Sequence, residues 1–348
     1  MAKRVLILGA GGVARGMAAL LTKAGHVPML WSPSGRSTQA LRSLPLQVSG
    51  ALDGALRIAI AQDLQTALHW AEVVVLAMPA NGHRATLDAA LPHLRADHGI
   101  IISAQLSLGG LYLHQALAAR GVAALVMAWG TTVVLGRCLG EDGVQIGGLR
   151  ARVEVAALPD TRSDEALALC HALFGDRFAK AESIVAIALG NLNPPVHMAN
   201  ALCNLTRIER GEVWANYDGI TPTVARLIEG LDGERLALAT AYGVRVRSVE
   251  RHFRDTFALP EHLSLAEMAA QIHARRGGPP GPTDLSTRFI TEDLPFGIVE
   301  IITLAQHIQH PTPLHEAGLT LFQCLCGRDF RAENTLLPAL DFAAISGC

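Results

Sequence analysis

The sequence predicts an α/β fold in two parts: a doubly wound parallel sheet at the N-terminus, followed by a mainly α-helical C-terminal domain. Two patterns carry this. Short β-branched runs alternate with amphipathic stretches from Arg4 to about Arg150, and beyond Ala181 helical periodicity takes over. Length agrees, because 348 residues exceed what one hydrophobic core usually organises. The expected boundary lies between residues 182 and 183, giving 1–182 for the first domain and 183–348 for the second.

The expected strands are Val5 to Leu8, Val27 to Trp31, Ile58 to Ala61, Val73 to Ala77, Ile100 to Ser103 and Ala123 to Met127. Arg152 to Leu158 reads as an edge strand and Ser163 to Phe174 as a helix. Further on, Ala199 to Ile208, Thr223 to Tyr242, Leu265 to Ala274 and Gly297 to Gln309 carry helical periodicity. Arg275 to Asp284, rich in Gly and Pro, reads as a surface loop.

Composition removes several function classes. Half of the residues are hydrophobic, and 29 basic against 31 acidic residues, well mixed, give a formal charge of -2, with no basic stripe for nucleic acid. The six cysteines, Cys138, Cys170, Cys203, Cys324, Cys326 and Cys348, form no C-x-x-C pair and no zinc-type cluster, so no metal site is expected and a reducing, cytoplasmic setting fits. Cys324 and Cys326 sit in an apolar run and read as core residues. The longest stretch free of Asp, Glu, Lys and Arg, Ser183 to Thr206, is broken by Asn191, Asn193, Pro194, Pro195 and His197, so no membrane span is expected. Arg15 interrupts the apolar N-terminus, which argues against a signal peptide.

Gly9-Ala10-Gly11-Gly12-Val13-Ala14 follows the first strand and opens the first helix. This is the G-x-G-x-x-G/A arrangement of a Rossmann domain in its required context, with the pyrophosphate expected at the helix N-terminus. An NAD enzyme would usually carry Asp or Glu after the second strand, roughly 20 residues beyond the glycines. Trp31-Ser32-Pro33-Ser34-Gly35-Arg36-Ser37 stands there instead. The hydroxyls of Ser32, Ser34 and Ser37 and the Arg36 guanidinium suit a 2′-phosphate, so NADPH is expected over NADH; the alternative is a merely solvated Arg36. Met78 and Pro79, after the fourth strand, and Gln105, after the fifth, occupy the carboxyl edge of the sheet, where such folds bind ligands. His83, in the same loop as Met78, reads as a surface histidine.

In the second half, Gly190-Asn191-Leu192-Asn193-Pro194-Pro195-Val196-His197 reads as a loop entering a helix, with Asn193 as N-cap and Pro194 first in the helix. His197 and Asn204 then share one face at a spacing of seven, an imidazole and a carboxamide in an apolar segment. Taken alone, such a histidine reads as a satisfied core residue rather than a catalytic one. Arg288 to Gly297 places Arg288, Glu292 and Asp293 before another apolar helix. Asp293 is there either as an N-cap or as the partner that fixes the tautomer of His197, with Arg288 clamping a substrate carboxylate.

These motifs together resemble the opine dehydrogenases, the octopine and nopaline enzymes among them. The resemblance spans nearly the whole chain: the glycine turn, Gly190 to Asn204 with its N-P-x-x-H core, Arg288-x-x-x-Glu292-Asp293-x-Pro295-x-Gly297, and Pro311-Thr312-Pro313. It implies NAD(P)H-driven condensation of an α-keto acid with the amino group of an amino acid. It also implies roles: His197 as general acid/base, Asp293 as its partner, Arg288 as carboxylate ligand and Gln105 as keto-acid contact. Where the family often shows aromatic-Ala-Cys-Arg after the sixth strand, this chain has Val133-Val134-Leu135-Gly136-Arg137, keeping the arginine, Arg137, among different neighbours.

Imidazole titrates near neutrality and can both take and give protons, as carbinolamine formation and dehydration require. Related two-domain reductases use a lysine in the helical domain, whereas here only Lys3, Lys23 and Lys180 exist. Two alternatives stay open: a simple keto-acid or imine reductase using His197, and a non-catalytic NADPH sensor. Leu319 to Cys326 fits a homodimer interface and a core helix equally well.

Overall fold

A computed structural model describes residues 1–276 and 278–345. Gly277, within the expected loop, and Cys348 lie outside the described residues. The chain divides into two compact units: Met1–Ile187 together with Ala339–Cys348, and Ala188–Pro338.

The first unit is built on a doubly wound sheet. Its strands are β1 (Arg4–Leu8), β2 (Val27–Trp31), β5 (Ala59–Ile60), β6 (Val73–Leu76), β7 (Gly99–Ile102), β8 (Leu125–Trp129), β11 (Val153–Leu158) and β12 (Phe178–Lys180), in the order β12-β11-β8-β7-β6-β1-β2-β5. Strands β5 to β8, β1 and β2 run parallel, and β11 pairs antiparallel with β8. The central strands β6, β7 and β8 are buried along their whole length, which is why they read as continuous apolar runs. Helices α1 (Gly12–Lys23), α2 (Leu64–Trp70), α3 (His83–Ala90), α4 (Gly109–Ala118) and α5 (Ser163–Phe174) complete the crossovers.

Two expectations change. Val153–Leu158 is not an edge strand: the three-residue β12 pairs outside it, and its Phe178 packs on Trp129 with ring centroids 4.8 Å apart. A second sheet, β4-β3-β10-β9, is formed by β3 (Leu46–Gly50), β4 (Gly54–Leu56), β9 (Val134–Leu139) and β10 (Gly143–Leu149). Its register joins β10 to β3 in parallel, Val144 facing Val48, and it covers the start of α1.

The second unit is helical: α7 (Asn193–Cys203), α8 (Leu205–Glu209), α9 (Pro222–Ala241), α10 (Val249–Phe257), α11 (Leu265–Arg276), α12 (Arg288–Thr291), α13 (Val299–His307), α14 (Pro313–Cys326) and α15 (Phe330–Glu333) follow α6 (Ile184–Gly190). The expected helix Ala199 to Ile208 is broken at Asn204, whose backbone leaves the helical region at φ -117°, ψ 18°. The run from Gly297 is entered through a π-helical turn, Leu294–Ile298, with Pro295 inside it. Arg235, fully buried, ties α9 down by pairing with Asp232 and donating to the carbonyls of Leu189 and Arg247. Cys324 is exposed and Cys326 half-buried, so this pair is not core: the buried face of α14 is made by Leu319 and Phe322. No helix among the described residues is long and apolar enough to cross a membrane.

Candidate active site

The glycine turn is shaped by backbone contact. Gly9, at φ +141°, abuts the end of β6, where an added Cβ would lie 2.1 Å from the Ala77 carbonyl. Gly12 and Gly136 of β9 press together, each added Cβ falling within 2.5 Å of the other's carbonyl oxygen. Gly11, in contrast, faces open space, with nothing within 4 Å of an added Cβ. It is the N-cap of α1, which has no side-chain cap and no acid in its first turn. The first-turn amides of Gly12, Val13 and Ala14 therefore have no capping side chain, and with open space beside Gly11 this turn fits a dinucleotide pyrophosphate.

Beside it, Arg36 opens a short 3₁₀ turn, Arg36–Thr38, is exposed and has no ion-pair partner among the described residues. Ser34 accepts from the Arg36 amide through Oγ at 3.4 Å, and Ser32 is half-buried at the end of the strand. No carboxylate occurs between Val27 and Ser37, so nothing there opposes a phosphate.

At the carboxyl edge of the sheet, Met78, just before Pro79, is held through its carbonyl by His83. This histidine is 1% exposed, not a surface residue, and its Nε2 bonds the Met78 carbonyl at 3.0 Å. Burial pushes its pKa down to about 4, against the smaller opposing effect of that bond. Gln105 is also buried: its Oε1 accepts from Gly110 N at 2.9 Å, while Nε2 has no partner. The loop around it holds Ala104, Ser107 and Leu108 at φ +50° to +55°, a conformation non-glycine residues rarely adopt. Arg137 is exposed on β9 with its Cα beside Gly12.

In the helical unit, α7 and the segment from α12 to the π-helical turn bring together residues 96 positions apart. His197 Nδ1 lies 2.7 Å from Asp293 Oδ2. Asp293 is fully buried and its other oxygen has no partner. Asp293 does occupy the N-cap position of the π-helical turn, but its side chain makes no capping bond. Asp293 accepts from Nδ1–H, so His197 presents Nε2, which bonds no described residue. Arg288 Nε sits 3.3 Å from Glu292 Oε2 and 3.9 Å from Asp293 Oδ2, with its side chain 57% exposed. Phe289, with no signature in the sequence, stacks on the His197 ring, centroids 3.7 Å apart and planes 8° from parallel.

Two local details depart from expectation. The N-cap of α7 is Leu192, because Asn191 Oδ1 takes up the Asn193 amide at 3.1 Å and lets the helix begin one residue early. Asn204 directs its Nδ2 to the Asn200 carbonyl and side chain at 2.9 and 3.0 Å, and Asn200 in turn bonds Asn216, so this carboxamide's donors are engaged within the fold.

Comparison with known proteins agrees with both units. Residues 180–326 match the alpha-helical domain of NAD/NADP octopine/nopaline dehydrogenase, and residues 4–105 match the coenzyme F420-dependent NADP oxidoreductase model. An opine dehydrogenase of Arthrobacter sp. (strain 1C) is 25% identical over 350 residues, covering 99% of this chain and 96% of the relative. Octopine dehydrogenase solved with NADH and L-arginine superimposes with a TM-score of 0.79 at 18% identity, over 93% of this chain and 90% of that one. NADP+-bound yersinopine dehydrogenase gives 0.73 at 19% identity, over 99% and 97%. Over nearly its whole length the chain is thus similar to an opine dehydrogenase, and its helical part matches the corresponding domain of the octopine/nopaline enzymes, NAD(P)H-dependent oxidoreductases acting on CH–NH donors.

Proposed function

We propose that this protein is an NADPH-dependent opine dehydrogenase, condensing an α-keto acid with the amino group of an amino acid to give an N-(carboxyalkyl) amino acid. The observation that carries this is the His197–Asp293 pair, with Nε2 left free and Arg288 alongside. Asp293 holds the imidazole in one tautomer. Nε2 takes the proton released as the amine adds to the ketone, and returns one as water leaves. Arg288 binds the keto-acid carboxylate, and its contact with Glu292 keeps the guanidinium in place. Gln105, through its unpartnered Nε2, and Arg137 are further substrate contacts, as is Asn204 through the oxygen of its otherwise engaged carboxamide. When bound, the nicotinamide supplies the hydride that reduces the C=N bond.

We assign the cofactor to residues 1–182, which also supply the substrate contacts Gln105 and Arg137, and the catalytic pair and remaining substrate contacts to residues 183–348. Gly9, Gly11, Gly12, Val13 and Ala14 hold the pyrophosphate, Ser32, Ser34, Arg36 and Ser37 the 2′-phosphate, and Met78 and Pro79 flank the nicotinamide half. The unpaired Arg36 and the missing acid after β2 favour NADPH. Relatives have been solved with NADH and with NADP+, and octopine dehydrogenase with L-arginine and with pyruvate, which supports an amino acid and a keto acid as the substrate pair here. We also infer a cytoplasmic enzyme and a homodimer formed through the exposed Leu314, Leu321 and Leu325 of α14, which light scattering of the purified protein would test.

The deciding experiment follows NADPH oxidation with a panel of α-keto acids, each alone and with mixed amino acids. Turnover that needs both partners is the expected result. Oxidation with a keto acid alone would replace this reading by a simple reductase, and NADPH binding without oxidation by a sensor.

A further inference from the structure

Arg15 lies one turn into α1 and is 3% exposed, yet no carboxylate pairs with it among the described residues. Its guanidinium is shared among three backbone segments. Nε donates to the Ala10 carbonyl in the glycine turn, Nη2 to the Ser37 carbonyl after β2, and Nη1 to the Gly143 carbonyl at the start of β10, each at 3.0 Å.

A buried cation without a counter-ion is costly, and carbonyl dipoles offset only part of that cost. Satisfying the three carbonyls explains the donors, but neutral donors would serve carbonyls as well and do not require a full charge. What the arginine adds is a rigid planar fork and a full positive charge. The fork joins the turn that faces the pyrophosphate to the segment that carries Ser32, Ser34 and Arg36. The charge sits next to an anion cradle with no acidic residue in its helix's first turn.

We propose that Arg15 is a positioning residue for the 2′-phosphorylated half of the dinucleotide. It fixes the spacing between the pyrophosphate turn and the 2′-phosphate segment, and the bound phosphates supply the counter-charge that the protein omits. The proposal rests on the NADPH reading above. Lysine at this position keeps the charge but cannot reach three carbonyls, so Arg15→Lys separates position from charge.

The test measures dissociation constants of NADPH, NADH and adenosine 2′,5′-bisphosphate for the wild type, Arg15→Lys and Arg15→Gln, alongside the melting temperature of each. In Arg15→Lys the preference for NADPH over NADH falls by about tenfold or more, and Arg15→Gln also loses NADH affinity. Variants that melt lower but keep the wild-type NADPH/NADH ratio overturn the proposal and leave Arg15 a structural residue. A wild type that binds NADH as tightly as NADPH overturns the cofactor reading, and this inference with it, before any variant is compared. If neither variant folds, hydrogen exchange on the wild type decides. Adenosine 2′,5′-bisphosphate should protect the 10–15 and 32–38 segments together, and protection confined to the second overturns the linkage.

Discussion

The His197 imidazole lies flat on the Phe289 ring, 8° from parallel at 3.7 Å between centroids, while Asp293, four residues beyond Phe289, grips its Nδ1 at 2.7 Å. One short segment thus restrains the ring both in its plane and on its face. Neither restraint suffices alone: the hydrogen bond leaves the ring free to tilt, and the stack leaves it free to spin.

Phe289→Leu should therefore lower kcat up to about tenfold, the scale of an aromatic pair, while Phe289→Tyr stays near the wild type. Steady-state kinetics with saturating cofactor reads this. An unchanged kcat in the leucine variant would mean that Asp293 orients the ring unaided.

Asp293→Asn offers an amide where His197 needs an acceptor and selects the wrong tautomer. Turnover should fall by roughly 10²- to 10⁴-fold, with the NADPH dissociation constant unaltered. A comparable fall should follow His197→Ala, and the double variant should cost little more than either one. Additive losses would show that the two residues act separately.

Arg288→Met should raise KM for the keto acid and cost about 10- to 100-fold in kcat/KM, with Arg288→Lys recovering part of it. The KM of the amino acid serves as the internal control. If that constant moves instead, Arg288 binds the other substrate's carboxylate.

His83 sets a pH dependence of stability. Folded His83 stays neutral down to about 4, whereas the unfolded chain's imidazole takes a proton near its ordinary value of 6.5. The unfolded state binds the extra proton in that window, so stability is full above pH 6.5 and declines by about 3 kcal/mol as pH falls towards 4. Melting curves of the wild type should drop more steeply through this range than those of His83→Gln. Parallel curves would mean that other groups dominate.

How much of this was legible depended on whether a signal was local. The turn Gly9 to Ala14 and the strands around it declare themselves within one βαβ unit, and β6 and β7 emerged within a residue or two of expectation because both their faces are buried. The second sheet did not, since β3 and β10 contain glycine and pair in parallel across almost a hundred residues of chain. His83 looked like a loop polar residue because nothing in the sequence says that a carbonyl from Met78 will be its partner. At the candidate site, the spacing of His197 and Asn204 on one helix was readable, but the Asn200–Asn216 bonds that occupy the Asn204 amide were not. Phe289 beside Arg288 resembles any aromatic residue entering a helix, and only the tertiary fold brings it against an imidazole.

The mutual approach of Gly12 and Gly136 has a bearing on redesign. Dehydrogenase engineers commonly treat the first strand, turn and helix as an exchangeable cassette for changing cofactor preference. Here each glycine leaves room only for the other's carbonyl, so the cassette ends not at Trp31 but with the hairpin Val134–Leu149. A transplant of the N-terminal segment alone would meet the wrong surface, and the two pieces must be exchanged together.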